Sequence, residues 1–252
     1  MKIYRFRDGD RVRVGVGESD RIWRYTGDSA LNLGTIDDAR PLSLAEARLL
    51  APVMPGKIVA VGRNYAEHAK ELGNEAPSEP IIFLKPPSAV LAPGGTIVRP
   101  EISQRVDFEG ELAIVISQRA KNVRRASWRN FVLGFTCAND VTARDIQRKD
   151  VQFTRGKSFD TFLPLGPCID TDVDPSALSL RTTVNGETKQ DGNTRDMVFP
   201  VDFIIEFVTA VMTLEPGDVI LTGTPAGVGP LAAGDTVEVE IEGIGVLRNV
   251  VA

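Results

Sequence analysis

Residues 180–190 read Leu-Arg-Thr-Thr-Val-Asn-Gly-Glu-Thr-Lys-Gln. Asn185-Gly186, in the middle of this stretch, is the dipeptide that a two-residue type I′ turn prefers, because both of its central residues need a positive φ. The residues on either side of the dipeptide have the pattern of paired strands. The stretch therefore predicts a β-hairpin with strands over Leu180–Val184 and Glu187–Gln190.

Short strand patterns recur on both sides of this hairpin. They cover Lys2–Arg7, Arg11–Gly17, Arg21–Thr26, Lys57–Val61, Ile81–Lys85, Phe108–Ile116, Leu133–Asn139, Val219–Thr222, Thr236–Ile241 and Val246–Val251. Helices are fewer, and we predict them over Tyr65–Leu72 with Asn64 as its cap, over Ala143–Lys149 and over Pro200–Met212. Because strands outnumber helices without a regular βαβ alternation, we predict an α+β fold that is mainly β.

The first part of the chain has the features of a separate small unit. Asp8-Gly9-Asp10 joins two of the predicted strands as a turn. Ser43-Leu-Ala-Glu46 matches a capping box and predicts a short helix to about Leu50. Pro52 and Pro55-Gly56 then interrupt the chain. We therefore predict a small N-terminal β-rich domain over residues 1–54 and a larger domain over residues 55–252.

Composition excludes several classes of function. The 252 residues carry 29 basic and 34 acidic side chains, a net charge of −5, whereas binding to duplex nucleic acid needs a basic surface. The most apolar window, Val201–Leu214, is too short and too charged to span a membrane, and the first residues contain no apolar signal-peptide core. Cys137 and Cys168 form neither a disulfide framework nor a CxxC site. We expect a cytoplasmic protein with two buried thiols and no nucleic-acid or membrane partner.

Three acidic residues are candidates for a metal site. Glu109 and Glu111 point to the same face of a predicted strand, because alternate side chains share a face. Asp140 ends another predicted strand. Three converging carboxylates without cysteine or histidine would select a hard cation such as Mg²⁺ or Mn²⁺. The alternative is a solvated strand face with an acid at every second residue, and the spacing alone leaves both interpretations open.

His68 is the one histidine of the sequence and a candidate general base. Glu71 lies three residues later on the predicted helix, hence on the same face, where its carboxylate would fix the imidazole tautomer and raise its basicity. An ordinary surface or core histidine is the alternative. The helix is short, polar and flanked by Gly62 and Gly73, which favours a mobile lid.

Four further residues are candidates for contacts with a substrate. Lys157 lies beside a glycine and could bind a substrate carboxylate or stabilise an oxyanion, although an ordinary surface lysine fits the same pattern. Arg144 and Gln147 share a face of the helix after Asp140. Thr224 belongs to the loop 223–229, which lacks the lysine of a phosphate-binding loop but offers a hydroxyl and backbone N–H groups to a carboxylate.

Six segments together resemble the fumarylacetoacetate hydrolase family. They are Val61–Glu71, Phe83–Ser88, Asp107–Leu112, Asn139–Gln147, Gly156–Phe159 and Gly217–Pro225, and they occur in the order of the family. The resemblance spans residues 55–250, and the first 50 residues resemble, more loosely, a small accessory domain of bacterial members. It implies a mixed β-roll, usually paired into a homodimer.

The resemblance also implies roles for individual residues. Each family metal ligand falls on Glu109, Glu111 or Asp140, with Mg²⁺ or Mn²⁺ as the ion and Ca²⁺ as one that crystals could contain. His68 and Glu71 match the dyad that activates water or moves a proton. Lys157 matches the family lysine near the substrate. The residues that match positions holding substrate oxygens are Arg144, Gln147 and Thr224.

The implied substrate is a small oxo or dioxo carboxylic acid. Our first hypothesis is a metal-dependent hydrolase that cleaves a carbon–carbon bond in an acylpyruvate or fumarylacetoacetate-like acid, with water activated by His68 and Glu71. The second is an oxaloacetate-type decarboxylase, or an isomerase/decarboxylase acting on a 2-hydroxyhepta-2,4-diene-1,7-dioate-like acid in aromatic catabolism. A third, a binding module without catalysis, conflicts with the complete set of acidic and basic residues. Fold-level likeness does not choose among the reactions.

Overall fold

A computed structural model describes residues 1–37 and 40–252, and strands dominate it. The strands are β1 Lys2–Asp8, β2 Arg11–Glu18, β3 Arg21–Tyr25, β4 Leu42–Ser43, β5 Arg48–Leu49, β6 Ile58–Gly62, β7 Ile81–Lys85, β8 Val90–Leu91, β9 Thr96–Ile97, β10 Val106–Phe108, β11 Gly110–Ile116, β12 Val132–Asn139, β13 Thr142–Ala143, β14 Leu163–Asp170, β15 Ser179–Val184, β16 Glu187–Asn193, β17 Val219–Leu221, β18 Gly229–Pro230, β19 Thr236–Ile241 and β20 Gly245–Val251. The predicted α+β fold, mainly β, is confirmed.

Helices are few and short. They are α1 Ala66–Glu71, α2 Arg144–Lys149, α3 Thr154–Lys157 and α4 Val201–Val211, with 3₁₀ helices at Pro87–Ala89, Arg125–Phe131 and Thr194–Asp196. The longest, α4, buries one apolar face against the main core, as its sequence pattern predicts. Within the described residues, none of these helices has the length and apolar character needed to cross a membrane.

Three sheets organise the strands. The largest has twelve strands in the order β4-β3-β2-β1-β14-β12-β11-β17-β6-β7, with β5 beside β1 and β8 beside β14. A five-stranded sheet runs β16-β15-β19-β20-β9, and a three-stranded sheet runs β13-β10-β18. Most pairs are antiparallel, but β17–β6, β14–β8 and β20–β9 are parallel. The sheets are therefore mixed, as a mixed β-roll requires.

The N-terminal unit shares both a sheet and a core with the rest of the chain. Strand β1 pairs with β14, where Ile3 lies opposite Ile169. Phe6 and Ile22 are fully buried in the same apolar cluster as Ile114 of β11. The division into residues 1–54 and 55–252 stays a prediction, and the structure joins the two parts through continuous hydrogen bonding and packing.

The hairpin around residue 185 forms as its sequence predicts. Asn185 and Gly186 have φ of 54° and 80°, the left-handed values that a type I′ turn needs. Strand β15 pairs with β16 across this turn, and β16 continues to Asn193, three residues further than predicted.

The predicted helix over Ser43–Leu50 is wrong. This segment forms the two short strands β4 and β5 joined by a turn, in which the Glu46 N–H donates to the Ser43 carbonyl. Leu42 and Leu49 pack against the main core from these strands. Extended pairing with β3 and β1 brings both side chains to the core, so tertiary contacts override the capping pattern.

Two other strand predictions need correction. The strand predicted over Phe108–Ile116 is divided at Glu109, because β10 pairs with β13 and β18 whereas β11 pairs with β12 and β17. Strand β14 was not predicted at all. All eight of its residues are buried, so it lacks alternation, and Pro164 and Pro167 interrupt its pattern.

Candidate active site

A cavity of about 260 Å³ brings together eight of the nine predicted site residues. They are His68, Glu109, Glu111, Asp140, Arg144, Gln147, Lys157 and Thr224. The ninth, Glu71, contacts His68, which lines the cavity. This volume lies just below the range of about 300–1,000 Å³ that is usual for ligand-binding cavities, so it suits a small acid.

The three candidate metal ligands converge in the lining of this cavity. Glu109 occupies the break between β10 and β11, Glu111 is the second residue of β11, and Asp140 directly follows β12. One carboxylate oxygen from each lies within 4.8 Å of the others, and all three side chains are buried. The Asp140 N–H donates to the Glu109 carbonyl at 2.8 Å, which fixes the two backbones together. The alternative of a solvated acidic strand face is wrong.

Buried cations neutralise two of the three carboxylates. The Lys157 Nζ donates to Glu109 Oε2 at 2.7 Å and to Asp140 Oδ2 at 2.6 Å. The Lys85 Nζ donates to Asp140 Oδ1 at 2.6 Å. Arg144 contacts Glu109 through Nη2. Lys157 is only 2% exposed, so the surface-lysine interpretation is wrong.

These contacts push the pKa values of the two glutamates in opposite directions. Burial raises the pKa of Glu109, but the charges of Lys157 and Arg144 outweigh burial and hold that pKa below its ordinary value. Burial, together with the charges of Asp140 and Glu109, raises the pKa of Glu111 well above its ordinary value. The Glu111 carboxylate accepts a hydrogen bond from the Gly223 N–H at 2.7 Å.

Glu111 provides the test of whether a metal fits. Among residues 1–37 and 40–252, no cationic side chain pairs with this buried carboxylate, although both neighbouring carboxylates have such partners. An unpaired buried carboxylate is costly unless a cation compensates it. A hard divalent cation, which prefers carboxylate oxygens, would supply the missing charge, so the residues present fit Mg²⁺ or Mn²⁺.

His68 and Glu71 form the predicted pair on α1. The His68 Nδ1 lies 3.3 Å from Glu71 Oε2, and His68 is 5% exposed. Glu71 in turn accepts from the Gly227 N–H at 3.1 Å. Asn64 does not cap this helix, contrary to prediction, because the cap position is Tyr65. The lid behaviour of α1 stays a prediction.

Arg144 and Gln147 share one face of α2, as their spacing predicts. The Arg144 Nη1 donates to Gln147 Oε1 at 2.7 Å, and its Nε donates to Asp107 Oδ2 at 2.9 Å. The Thr224 hydroxyl donates to the Gly110 carbonyl at 2.8 Å and accepts from Gln190 at 2.7 Å. Its hydrogen is therefore already used within the protein, which limits the predicted contact with a substrate carboxylate.

Two backbone N–H groups of loop 223–229 donate to carboxylates of the protein. The N–H groups of Gly223 and Gly227 donate to the carboxylates of Glu111 and Glu71, respectively. The loop thus contacts one metal-ligand candidate and one member of the candidate proton-transfer pair. Sequence reasoning assigned these amides to a substrate, and it had no signal for partners more than a hundred residues away.

Sequence reasoning also missed three polar residues around the site. Lys85 has a fully buried side chain, and its burial lowers its pKa. Asp107 accepts a hydrogen bond from Arg144. The Gln190 Nε2 donates to the Thr224 hydroxyl, and its Oε1 accepts from the Gly110 N–H at 2.9 Å. Lys85 lies within one of the six segments that carry the resemblance, which was the signal available for it.

Comparisons with known proteins test the resemblance to a family. The model of the fumarylacetoacetate (FAA) hydrolase C-terminal domain matches residues 57–252, and the Rv2993c-like N-terminal model matches residues 1–52. The mitochondrial oxaloacetate tautomerase FAHD2A of Bos taurus is 47% identical over 221 residues, which are 82% of this chain and 70% of that protein.

Two solved structures extend the comparison to the whole chain. The 5-carboxymethyl-2-hydroxymuconate delta-isomerase of Mycobacterium smegmatis has a TM-score of 0.92 at 44% identity and covers 100% of this chain and 99% of its own. The fumarylacetoacetate hydrolase of Exiguobacterium antarcticum has a TM-score of 0.90 at 40% identity, with the same coverage. The chain belongs to the fumarylacetoacetate hydrolase family.

Proposed function

We propose that this protein is a divalent-metal-dependent enzyme that isomerises a small 2-oxo acid between its keto and enol forms. The observation that carries the proposal is the joint position of a buried His68–Glu71 pair and three carboxylates around one small cavity. A proton acceptor and a cation site on the same cavity are what removal of a proton beside a carbonyl requires.

Each residue then has a defined task. Glu109, Glu111 and Asp140 would hold Mg²⁺ or Mn²⁺, which when bound supplies Lewis-acid polarisation of the substrate's oxygens. Glu71 occupies Nδ1 of His68, so Nε2 is the nitrogen that takes a proton from the substrate carbon and returns it. The buried positive charges of Lys157 and Arg144 favour the negative charge that develops on the oxo oxygen.

The names of relatives support proton transfer as the shared chemistry. One relative is named an oxaloacetate tautomerase and another a hydroxymuconate delta-isomerase, and both names describe movement of a proton in an oxo or enol acid. The small cavity supports an acid of few carbon atoms rather than a larger substrate.

Hydrolysis of a carbon–carbon bond is the second candidate function. The same His68–Glu71 pair would activate water for attack on the distal carbonyl of an acylpyruvate or fumarylacetoacetate-like acid. The observation that favours it is the 40% identity with a solved protein named fumarylacetoacetate hydrolase. Decarboxylation of oxaloacetate would need no activated water and is the third outcome of the test below.

One assay separates these functions. Oxaloacetate and acetylpyruvate are incubated with the protein and Mg²⁺, and products are resolved by NMR, with chelator and His68→Gln as controls. We expect faster keto–enol exchange without new products, lost with chelator and in H68Q. Pyruvate plus acetate from acetylpyruvate would establish hydrolysis instead, and pyruvate plus CO₂ from oxaloacetate alone would establish decarboxylation.

A homodimer in the cytoplasm completes the proposal. It rests on the resemblance, and light scattering of the purified protein tests the dimer directly. A mass near twice 27.3 kDa is expected, and a mass equal to that of one chain would contradict it.

A further inference from the structure

Two arginines of the cavity differ from its other cations. Arg144 and Lys157 are buried and contact carboxylates. Arg63 and Arg148 line the same cavity, Arg63 half-buried and Arg148 exposed. Within residues 1–37 and 40–252, neither of these two guanidinium groups forms a hydrogen bond or an ion pair. Unlike the inner cations, these two guanidinium groups are therefore not held by carboxylates in the described part of the protein.

The backbone holds Arg63 at this place against a conformational cost. Its φ is 58°, in the left-handed region that residues other than glycine and asparagine rarely adopt. The neighbouring Asn64 fixes the turn, because its Nδ2 donates to the carbonyls of Thr222 at 2.7 Å and Phe199 at 3.0 Å. Its Oδ1 accepts from the Phe199 N–H at 2.8 Å. Strain maintained by its surroundings in this way is typical of functional positions.

Arg148 extends the row of cationic side chains outward. It follows Arg144 by four residues on α2, so the two lie on the same helical face. Both line the cavity, and Arg144 is buried whereas Arg148 is exposed. A ligand that reaches the inner residues therefore has the positive charge of Arg148 near its outer end. This charge favours a ligand that is negatively charged at the outer end as well as at the inner one.

We propose that Arg63 and Arg148 bind a second carboxylate of the substrate, so that this protein selects 2-oxo dicarboxylic acids over 2-oxo monocarboxylic acids. The proposal rests on the proposed function, which assigns the first carboxylate and the oxo group to the inner residues. A guanidinium group matches a carboxylate through two parallel hydrogen bonds. Phe83 and Phe153, in edge-to-face contact at 5.5 Å between ring centroids, also line the cavity and reduce its hydration.

The test compares two acids in the same isomerisation. Oxaloacetate is a dianion, and acetylpyruvate carries an acetyl group in place of the second carboxylate. Kinetics with Mg²⁺ are measured for the wild type, Arg63→Gln, Arg148→Gln and Arg63→Lys. Arg11→Gln is the matched control, because it removes an exposed arginine of β2 that does not line the cavity.

We expect R63Q to raise KM for oxaloacetate about tenfold with little change in kcat, because a charged hydrogen bond to the substrate is lost in ground and transition states alike. R148Q should raise it about threefold, since an exposed charge is screened by solvent. R63K should recover part of the loss. Acetylpyruvate kinetics and the R11Q control should stay within about twofold of wild type.

Other results would overturn the inference. Equal losses with both acids in R63Q, with the fold verified by circular dichroism, would show a structural role. No change with oxaloacetate in R148Q and R63Q would exclude carboxylate binding. If the wild type isomerises neither acid, the proposed function fails, and calorimetric titration decides the inference by itself. Weaker oxaloacetate binding by R63Q with equal acetylpyruvate binding supports it, and equal weakening of both refutes it.

Discussion

Glu111 is the residue whose surroundings are incomplete without a cation. Its buried carboxylate accepts a hydrogen bond from the Gly223 N–H, which the amide oxygen of glutamine can also accept. We expect Glu111→Gln to raise the melting temperature of the chelated protein by about 2–6 °C, because an uncompensated buried carboxylate is removed. Mg²⁺ should stabilise the wild type but not E111Q. Differential scanning fluorimetry with Mg²⁺ or chelator measures both effects.

The matched control for this experiment is Glu101→Gln, at an exposed glutamate outside the cavity. It should leave the melting temperature and the Mg²⁺ effect unchanged. A chelated E111Q protein that melts well below the wild type would contradict our interpretation of Glu111.

Lys85 supplies the positive charge that compensates the buried carboxylate of Asp140. Besides Asp140, its ammonium group contacts the backbone carbonyl of Lys157. Lys85→Met should destabilise the protein by about 3 kcal/mol, since the substitution breaks a buried ion pair from one side. Urea denaturation measures the change, with Lys121→Met at an exposed position as control. A loss below about 1 kcal/mol would show that Lys157 compensates Asp140 alone.

The two thiols are predicted to be unreactive in the native state. Burial raises the pKa of Cys168 to about 11 and raises the pKa of Cys137 as well. At pH 8 roughly one Cys168 side chain in a thousand is the reactive thiolate. We expect Ellman's reagent to titrate no thiol in native protein and two in denaturant.

The pKa of the Cys168 thiol is higher in the folded protein than its ordinary value of 9.0. The free energy of unfolding should therefore fall as the pH rises from about 9 to 11, because the unfolded chain loses this proton first.

At the scale of elements, loop 223–229 connects α1 to the sheet. Gly227 has φ of 100°, its N–H donates to Glu71, and an added Cβ would lie 2.0 Å from the Lys189 carbonyl oxygen. We expect Gly227→Ala to lower the isomerisation rate at least tenfold, because the loop must shift and Glu71 then loses its anchor. Stability should fall by about 1–3 kcal/mol.

Gly234→Ala is the matched control, because Gly234 has φ of 90° and its added Cβ would meet nothing within 4 Å. It carries the same backbone cost without the clash. Equal rate losses in G227A and G234A would show that backbone strain alone, and not the support of Glu71, accounts for the effect.

Alternating strands could be predicted from the sequence to within about three residues at each end, because alternation reports one buried face. Prediction from the pattern failed in the β4–β5 segment, where tertiary contacts determine the secondary structure. It also failed in β14, where burial on both faces removes the alternation. The carboxylate cluster was predicted from its spacing and the resemblance. Lys85 was not, because its contact with Asp140 spans 55 residues and local sequence does not encode such a pairing.

At the scale of the whole molecule, we expect one cooperative unfolding transition. The N-terminal unit adds its strands to the twelve-stranded sheet and buries Phe6 and Ile22 in the main core. Neither part can therefore unfold without exposing apolar surface of the other. Scanning calorimetry of the metal-free protein should give equal calorimetric and van't Hoff enthalpies.

Deletion of residues 1–54 also tests whether the two parts of the chain fold as one unit. It uncovers the edge of β14, so we expect aggregation or loss of the transition. Two separate transitions in the intact chain, or a truncated chain that melts like the intact one, would instead show two independent domains.

The pairing of β1 with β14 has a consequence during synthesis. Ile3 lies opposite Ile169, so the first hairpin leaves the ribosome long before its partner strand exists. At about 5–20 residues per second, roughly 10–30 s pass before residue 169 has been added. Throughout this interval the apolar side chains of the hairpin face water or a chaperone. The speed of translation, more than the stability of the finished protein, sets how long that surface is open to aggregation.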